Sequence, residues 1–202
     1  MDPSKLFQET DRAALISRIK DNPFGLVVTV DNDGSPKTAH VPVLVEERAE
    51  GSFILFHLTQ KNAACEPLLK TEKCLCVFTG PNAYISPDWY DMPDQVPTWN
   101  YLSVECAGPV RKLNTDELVK QLDGLSEHFE RGLLPKPIWT RAKMKDGKFD
   151  AMLRAITGFE MRIEDLQGTT KINQNKPEKT RKKVAEKLKN NPISNAIKNL
   201  DR

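Results

Sequence analysis

The sequence predicts an α+β fold in which a small β-barrel is surrounded by helices. Closely spaced strand signals precede any long helix, helical patterning is concentrated in the second half, and one long strand carries a Gly-Pro bend of the kind that helps a sheet curl. No GxGxxG or Walker loop accompanies the strands, which argues against a parallel dinucleotide-binding sheet. A chain of 202 residues is sized for a single domain over 1–202, with a basic helical segment over 177–202.

Each element has a local reason. Thr10 is the expected N-cap of a first helix that stops before Pro23, with Ala14, Leu15, Ile16 and Ile19 at helical spacing. Phe24 to Val30, the turn Asp31 to Gly34, and Lys37 to Glu46 read as a β-hairpin, with Pro42 making the second strand an edge or bulged one. Ser52 to Leu58 reads as a third strand, Gln60 to Lys70 as a short helix, and Cys74 to Gly80 as a fourth strand. A fifth, longer strand runs from Thr98 to Leu113 and bends at Gly108 and Pro109. Asn114 caps a helix over 115–130 whose stripe is Leu118, Val119, Leu122, Leu125 and Phe129. A Pro-rich connection follows, then a helix near Phe149 to Ala155, one strand over 158–168, and a charged last helix over 177–189.

The segment Phe78 to Tyr101 holds all three tyrosines and two of the three tryptophans, set among prolines and polar residues. Such a segment is expected as an irregular loop, in which rigid rings either wall a flat ligand or simply cover the core. Cys65, Cys74, Cys76 and Cys106 show no CxxC spacing, so they read as reduced, buried thiols and neither zinc nor a disulfide framework is expected. No apolar run approaches the roughly 18 residues that span a bilayer. The start, MDPSKLFQETDR, lacks the basic and apolar character of an export signal, so a cytoplasmic, intracellular location is expected. Residues 171–202 contain ten Lys/Arg against three Asp/Glu, a pattern that serves either the phosphates of nucleic acid or of a cofactor, or a solvated helix face.

Histidines His40 and His57 lie on predicted strands, where a neutral, hydrogen-bonded ring is the ordinary outcome and no third ligand stands at metal-binding spacing. The phrase FHLTQKN places His57, Thr59, Lys61 and Asn62 where a strand gives way to a helix, an arrangement that can take a phosphate or can be a plain polar loop. TTKINQNK offers Lys171, Gln174, Asn175 and Lys176 for an anion or a polar ring edge, or for capping the last helix. No GxSxG elbow or HExxH pair supports hydrolysis.

The blocks FTGPNAYISPDWY, VPTWNY, AITGFEM and KINQNK, in this order, resemble the PaiB-like family of FMN-binding negative transcriptional regulators. The resemblance spans nearly the whole chain. It implies a split β-barrel related to the pyridoxamine phosphate oxidases, usually a homodimer with FMN between subunits. By position it implies that Thr38 and His40 border the flavin, that His57, Lys61 and Asn62 lie near its phosphate, and that Trp99 and Tyr101 form an aromatic wall. Lys171, Gln174 and Lys176 would close the site. Phe56 and Asn173 stand where the family tends to have Gly and Ser, and either is expected to reshape the pocket.

Three functions follow as expectations. The first is a flavin-dependent oxidoreductase or a protein binding a small-molecule ligand, including a variant that uses the pocket without flavin. The second is a transcriptional regulator touching DNA through Lys179 to Lys189. The third is haem binding, which related split barrels can show, with His40 or His57 as axial ligand.

Overall fold

The computed structural model describes residues 4–200. In chain order these begin with β1 (Gln8–Glu9), α1 (Arg12–Asp21), β2 (Phe24–Val30), β3 (Pro36–Pro42), β4 (Leu44–Arg48), β5 (Gly51–Thr59) and α2 (Cys65–Thr71). They continue with β6 (Lys73–Ile85), β7 (Thr98–Lys112), α3 (Thr115–Arg131), α4 (Lys148–Leu153), β8 (Ile156–Arg162), β9 (Asp165–Lys171), α5 (Glu178–Lys187) and α6 (Ile193–Asn199). The class is the α+β split barrel that the sequence predicts. No described helix is long and apolar enough to cross a membrane.

Several elements differ in extent from expectation, each for a local reason. Asp11 rather than Thr10 caps α1, its Oδ1 accepting from the Ala13 backbone N–H at 2.9 Å. The second hairpin strand breaks at Val43, whose backbone N–H donates to Pro23 O at 2.8 Å, and so becomes β3 and β4. β6 runs on to Ile85 and β7 starts at Thr98, so the expected aromatic loop shrinks to residues 86–97. The single strand expected over 158–168 divides into β8 and β9, because Ile163 N–H turns to Ser52 O at 2.9 Å and Glu164 N–H to Ala107 O at 3.0 Å. α6 carries too few residues to announce itself locally; burial of Ile193 and Ile197 holds it.

The chain divides into two compact units, each assembled from separated segments. The larger comprises Ile19–Phe78 and Glu105–Leu166. Its strands follow the order β3-β2-β6-β7-β8-β5-β4. The β2–β3 hairpin pairs Leu26 with His40 and Val28 with Thr38, and turns through Gly34 at φ 82, a left-handed position that suits glycine. β5 pairs antiparallel with β8, bringing Phe56 opposite Phe159 and His57 opposite Gly158. Period-2 alternation then sends Ile54, Phe56 and Leu58 to one face and Leu55 and His57 to the other.

Phe56 and Phe159 are fully buried and stack at 5.4 Å between ring centroids. Phe56 therefore fills the core, on the face of β5 opposite His57. All four cysteines are free and buried, as expected, with Cys74 Sγ 3.3 Å from Met161 Sδ. Hydrogen bonds to Cys106 and Cys74, together with burial, push the Cys76 thiol well above its usual range, which keeps it unreactive. α3 begins with a reciprocal capping box, Asn114 Oδ1 accepting from Glu117 N–H and Glu117 Oε2 from Asn114 N–H.

The smaller unit comprises Met1–Arg18, Thr79–Val104 and Gln167–Arg202. Here β1 pairs with β9, and α5 and α6 pack an apolar cluster of Val184, Ala185, Ile193 and Ile197 against Ile85, Tyr90 and Ile172. The charged helix that the sequence places at the end thus has a buried face. The last two residues of the expected 177–202 segment lie outside the described residues.

Candidate functional site

In the larger unit Thr38 and His40 alternate on β3 with exposed side chains. The His40 ring stacks on Phe24 at 6.0 Å. Phe24 is 57% and Val30 47% exposed, and on the same face Leu26, Val28, Leu75 and Val77 are only half-buried. The two polar residues therefore stand in an apolar strip of sheet. Beyond β5, Asn62 shapes the turn: its Oδ1 accepts from Ala64 N–H at 2.9 Å and its own N–H donates to Thr59 O at 2.9 Å. Lys61 is left exposed at this turn.

His57 has a different neighbourhood. Its Nδ1 lies 3.3 Å from Nε2 of Gln121 on α3, and the ring lines a cavity of about 260 Å³ formed with α3 and the segment around 139–156. Burial holds the imidazole below its ordinary pKa, opposed in part by the Gln121 hydrogen bond. A histidine kept neutral in the folded state binds fewer protons than in the unfolded chain, so stability is complete above the unfolded value near 6.5 and falls as pH drops below it toward the depressed folded value. Urea midpoints between pH 7.5 and 5 should fall less in His57→Gln than in the parent; identical slopes would contradict a buried neutral ring.

In the smaller unit Trp99 is 53% exposed and meets Tyr84 edge to face at 6.2 Å. Tyr101 follows two residues along β7, half-buried on the same side. Lys171 and Lys176 line a second cavity of about 260 Å³ with Phe7, Tyr90, Thr98 and Asn173. Lys171 Nζ lies 5.6 Å from the Phe7 ring centroid and Lys176 Nζ 5.0 Å from that of Tyr90. Lys176 also hydrogen-bonds Gln95 Oε1. Gln174 is spent on the backbone, with its Oε1 accepting from Ile172 N–H at 2.9 Å and its Nε2 donating to Leu6 O at 3.2 Å and to Thr170 O.

Two residues that the sequence reading did not place in the site matter here. Tyr90 OH donates to Asn173 Oδ1 at 3.2 Å, and Asn173 adopts φ 63. Asn173 is 4% exposed, yet its Nδ2 has no partner among the described residues. A buried amide N–H without an acceptor is costly, roughly 1–3 kcal/mol, so this Nδ2 is a donor that a ligand or a water could satisfy. Asn100 on β7 is likewise buried, with neither end of its amide paired among the described residues. Only the departure of KINQNK from the family pattern pointed toward Asn173; Tyr90 was one ring among many in the aromatic segment.

The second cavity sets two ammonium groups and an orphan amide beside aromatic rings, with the Asp94 carboxylate also in its lining, a set that suits an electron-rich, carbonyl-bearing ring. Along α5, Lys183 pairs with Asp91, Lys182 with Glu178, and Arg181 Nη1 donates to Lys176 O at 2.6 Å, so much of the basic charge is engaged within the unit. No cluster of three or more His, Cys, Asp or Glu able to hold a metal ion occurs among the described residues.

Residues 1–165 match the family described as "Putative FMN-binding domain". The chain is 32% identical over 192 residues to "Protease synthase and sporulation protein PAI 2" of Bacillus subtilis (strain 168), covering 95% of this chain and 91% of that protein. Its fold is shared with the flavocytochrome Anf3 from Azotobacter vinelandii, at a TM-score of 0.64 and 12% identity, over 85% of this chain and 72% of that one. It is shared also with the FAD and heme binding protein from Mycobacterium smegmatis, at a TM-score of 0.57 and 16% identity, over 81% and 73% of the two chains.

Proposed function

The chain belongs to the family described as "Putative FMN-binding domain", and on that premise we propose that it is an FMN-binding protein that carries out flavin-dependent oxidation or reduction of a small molecule as a homodimer. The observation that carries this reading is the buried Asn173 Nδ2, without a partner among the described residues, in a residue that lines one cavity with Lys171, Lys176 and Tyr90. When bound, FMN supplies the electron transfer.

The residues' roles are assigned cluster by cluster. In the smaller unit, Asn173 Nδ2 would donate to an acceptor on the flavin, and Lys171 and Lys176 would supply positive charge beside it. Trp99 and Tyr101 supply the aromatic wall that excludes water, while Gln174 braces the backbone that presents Lys171 and Asn173. In the larger unit, the turn shaped by Asn62 would present Lys61 to an anionic group, and Thr38 and His40 would offer their side chains on the exposed face of β3. The apolar strip around them, with Phe24 and Val30 exposed, is the surface a second copy of the chain would cover. DNA contact forms no part of this reading, since α5 spends much of its charge internally.

FMN titration followed by the flavin absorption shift and fluorescence quenching, with mass measured by light scattering, tests the assignment. The parent is expected to take up one FMN per chain as a dimer. Lys61→Ala and Asn173→Gly should each weaken binding about tenfold, the latter keeping the left-handed backbone while removing the amide. A monomer that takes up no FMN would overturn the proposal.

A further inference from the structure

The cavity beside His57 in the larger unit is built unlike a phosphate or flavin-edge site. Its walls are mostly apolar, with Leu122, Trp139, Met144, Phe149, Met152 and Ile156 around a space of about 260 Å³. An apolar cavity of roughly 150 Å³ is large enough to stay dry and bind benzene, so this one has room for a substituted ring. Trp139 and Met152 are 37% and 55% exposed, apolar surface that an occupant would remove from water. The rim charges are already engaged: Arg141 Nε lies 3.3 Å from Asp123 Oδ1, and its guanidinium sits 5.1 Å from the Phe149 ring centroid. They leave little call for an anionic ligand.

The polar anchor is His57. Gln121 is 1% exposed, and its Nε2 is the hydrogen-bond partner of His57 Nδ1. Donation from that amide to Nδ1 places the proton of the neutral imidazole on Nε2, making Nε2–H the donor available to a ligand. Gln121 Oε1 is buried with no partner among the described residues, so the amide is held against His57 at the expense of its own acceptor.

We propose that this cavity is a second ligand site, for a small uncharged ring compound bearing one carbonyl or hydroxyl oxygen. The oxygen accepts from His57 Nε2–H while the ring lies among Trp139, Phe149 and the two methionines, whose thioethers favour aromatic contacts. None of the apolar walls is a residue assigned to the flavin, and His57, which the family resemblance places near the flavin phosphate, here has its Nδ1 against Gln121 on α3.

The test uses acetophenone and its hydrocarbon isostere α-methylstyrene as probes on the full-length protein, with and without added FMN. Two-dimensional ¹H–¹⁵N spectra of the three histidine rings, with His57 identified through His57→Gln, report occupancy. Acetophenone is expected to shift the His57 ring signals saturably, and α-methylstyrene to bind about fivefold to tenfold more weakly for want of an acceptor. Ser126→Trp, which fills the cavity from α3, should abolish both responses while FMN uptake and the thermal midpoint match the parent; Met152→Trp serves the same purpose if Ser126→Trp unfolds. No saturable shift with either probe, or a shift that survives both filled variants, would overturn the site. Haemin uptake with a Soret band lost in His57→Gln would overturn the ligand class. FMN uptake is scored separately by absorption, so each reading can fail without the other.

Discussion

Phe56→Gly is expected to destabilise the larger unit by about 3.5–6 kcal/mol: about 3–5 for removing a buried phenyl ring, with a further ~0.5–1 for glycine inside a strand. Phe56 is fully buried against Phe159, on the face of β5 opposite His57, so deleting the ring opens a hole in the core and gives a ligand nothing. That loss approaches the whole stability of many domains. Phe56→Leu keeps most of the volume and should cost far less, leaving a folded protein in which FMN uptake is unchanged. Urea unfolding followed by circular dichroism, with FMN titration of the Leu variant, decides the matter. A Gly variant within about 1 kcal/mol of the parent, or tighter flavin binding in either variant, would show that Phe56 faces the ligand after all.

Gly108→Ala is the second substitution with a large expected effect. A Cβ at this position would sit 1.9 Å from Arg162 O and 3.1 Å from Arg162 C, both backbone atoms, so no side-chain rotation relieves the contact. Neighbouring hydrogen bonds, Glu164 N–H to Ala107 O at 3.0 Å and Ile163 N–H to Ser52 O at 2.9 Å, hold the two segments at that distance. Overpacking of this kind costs about 1–3 kcal/mol and more where the backbone must move. Gly34→Ala provides the contrast: its Cβ meets nothing within 4 Å, and only the left-handed φ of 82 opposes it, by about 1–2 kcal/mol. Thermal midpoints should therefore fall further for Gly108→Ala than for Gly34→Ala, and the reverse order would discount the close approach.

Both expectations depend on knowing which side of a strand a residue occupies, and that marks where sequence reading succeeds. α3 was legible because its signals are local and agree: Asn114 and Glu117 at capping-box spacing, then an apolar stripe of which Leu118 and Leu125 are buried. β2, β3 and β5 were legible from β-branched runs around a glycine turn. The far half of β6 was not, because Pro81 and the aromatic residues around it argue locally for a loop. It is strand pairing with β7 that fixes their conformation, with Gly80 close against Leu102. α6 and the break between β8 and β9 likewise depend on partners distant in sequence.

The candidate sites divide in the same way. Aromatic and basic motifs singled out Trp99, Lys171 and Lys176 as candidates, since residue type and order survive in one dimension. The orphan amide of Asn173 and the different surroundings of His57 and His40 did not, since a hydrogen-bond partner is a fact of three dimensions. The sequence by itself determined the fold class, the family, the β2–β3 turn and the Asn114 cap, because these rest on local propensity, hydrophobic period and linear motif. Only the tertiary structure decided that Phe56 belongs to the core and His57 to a cavity under α3, because a strand's two faces are chemically distinguished only by what packs against each.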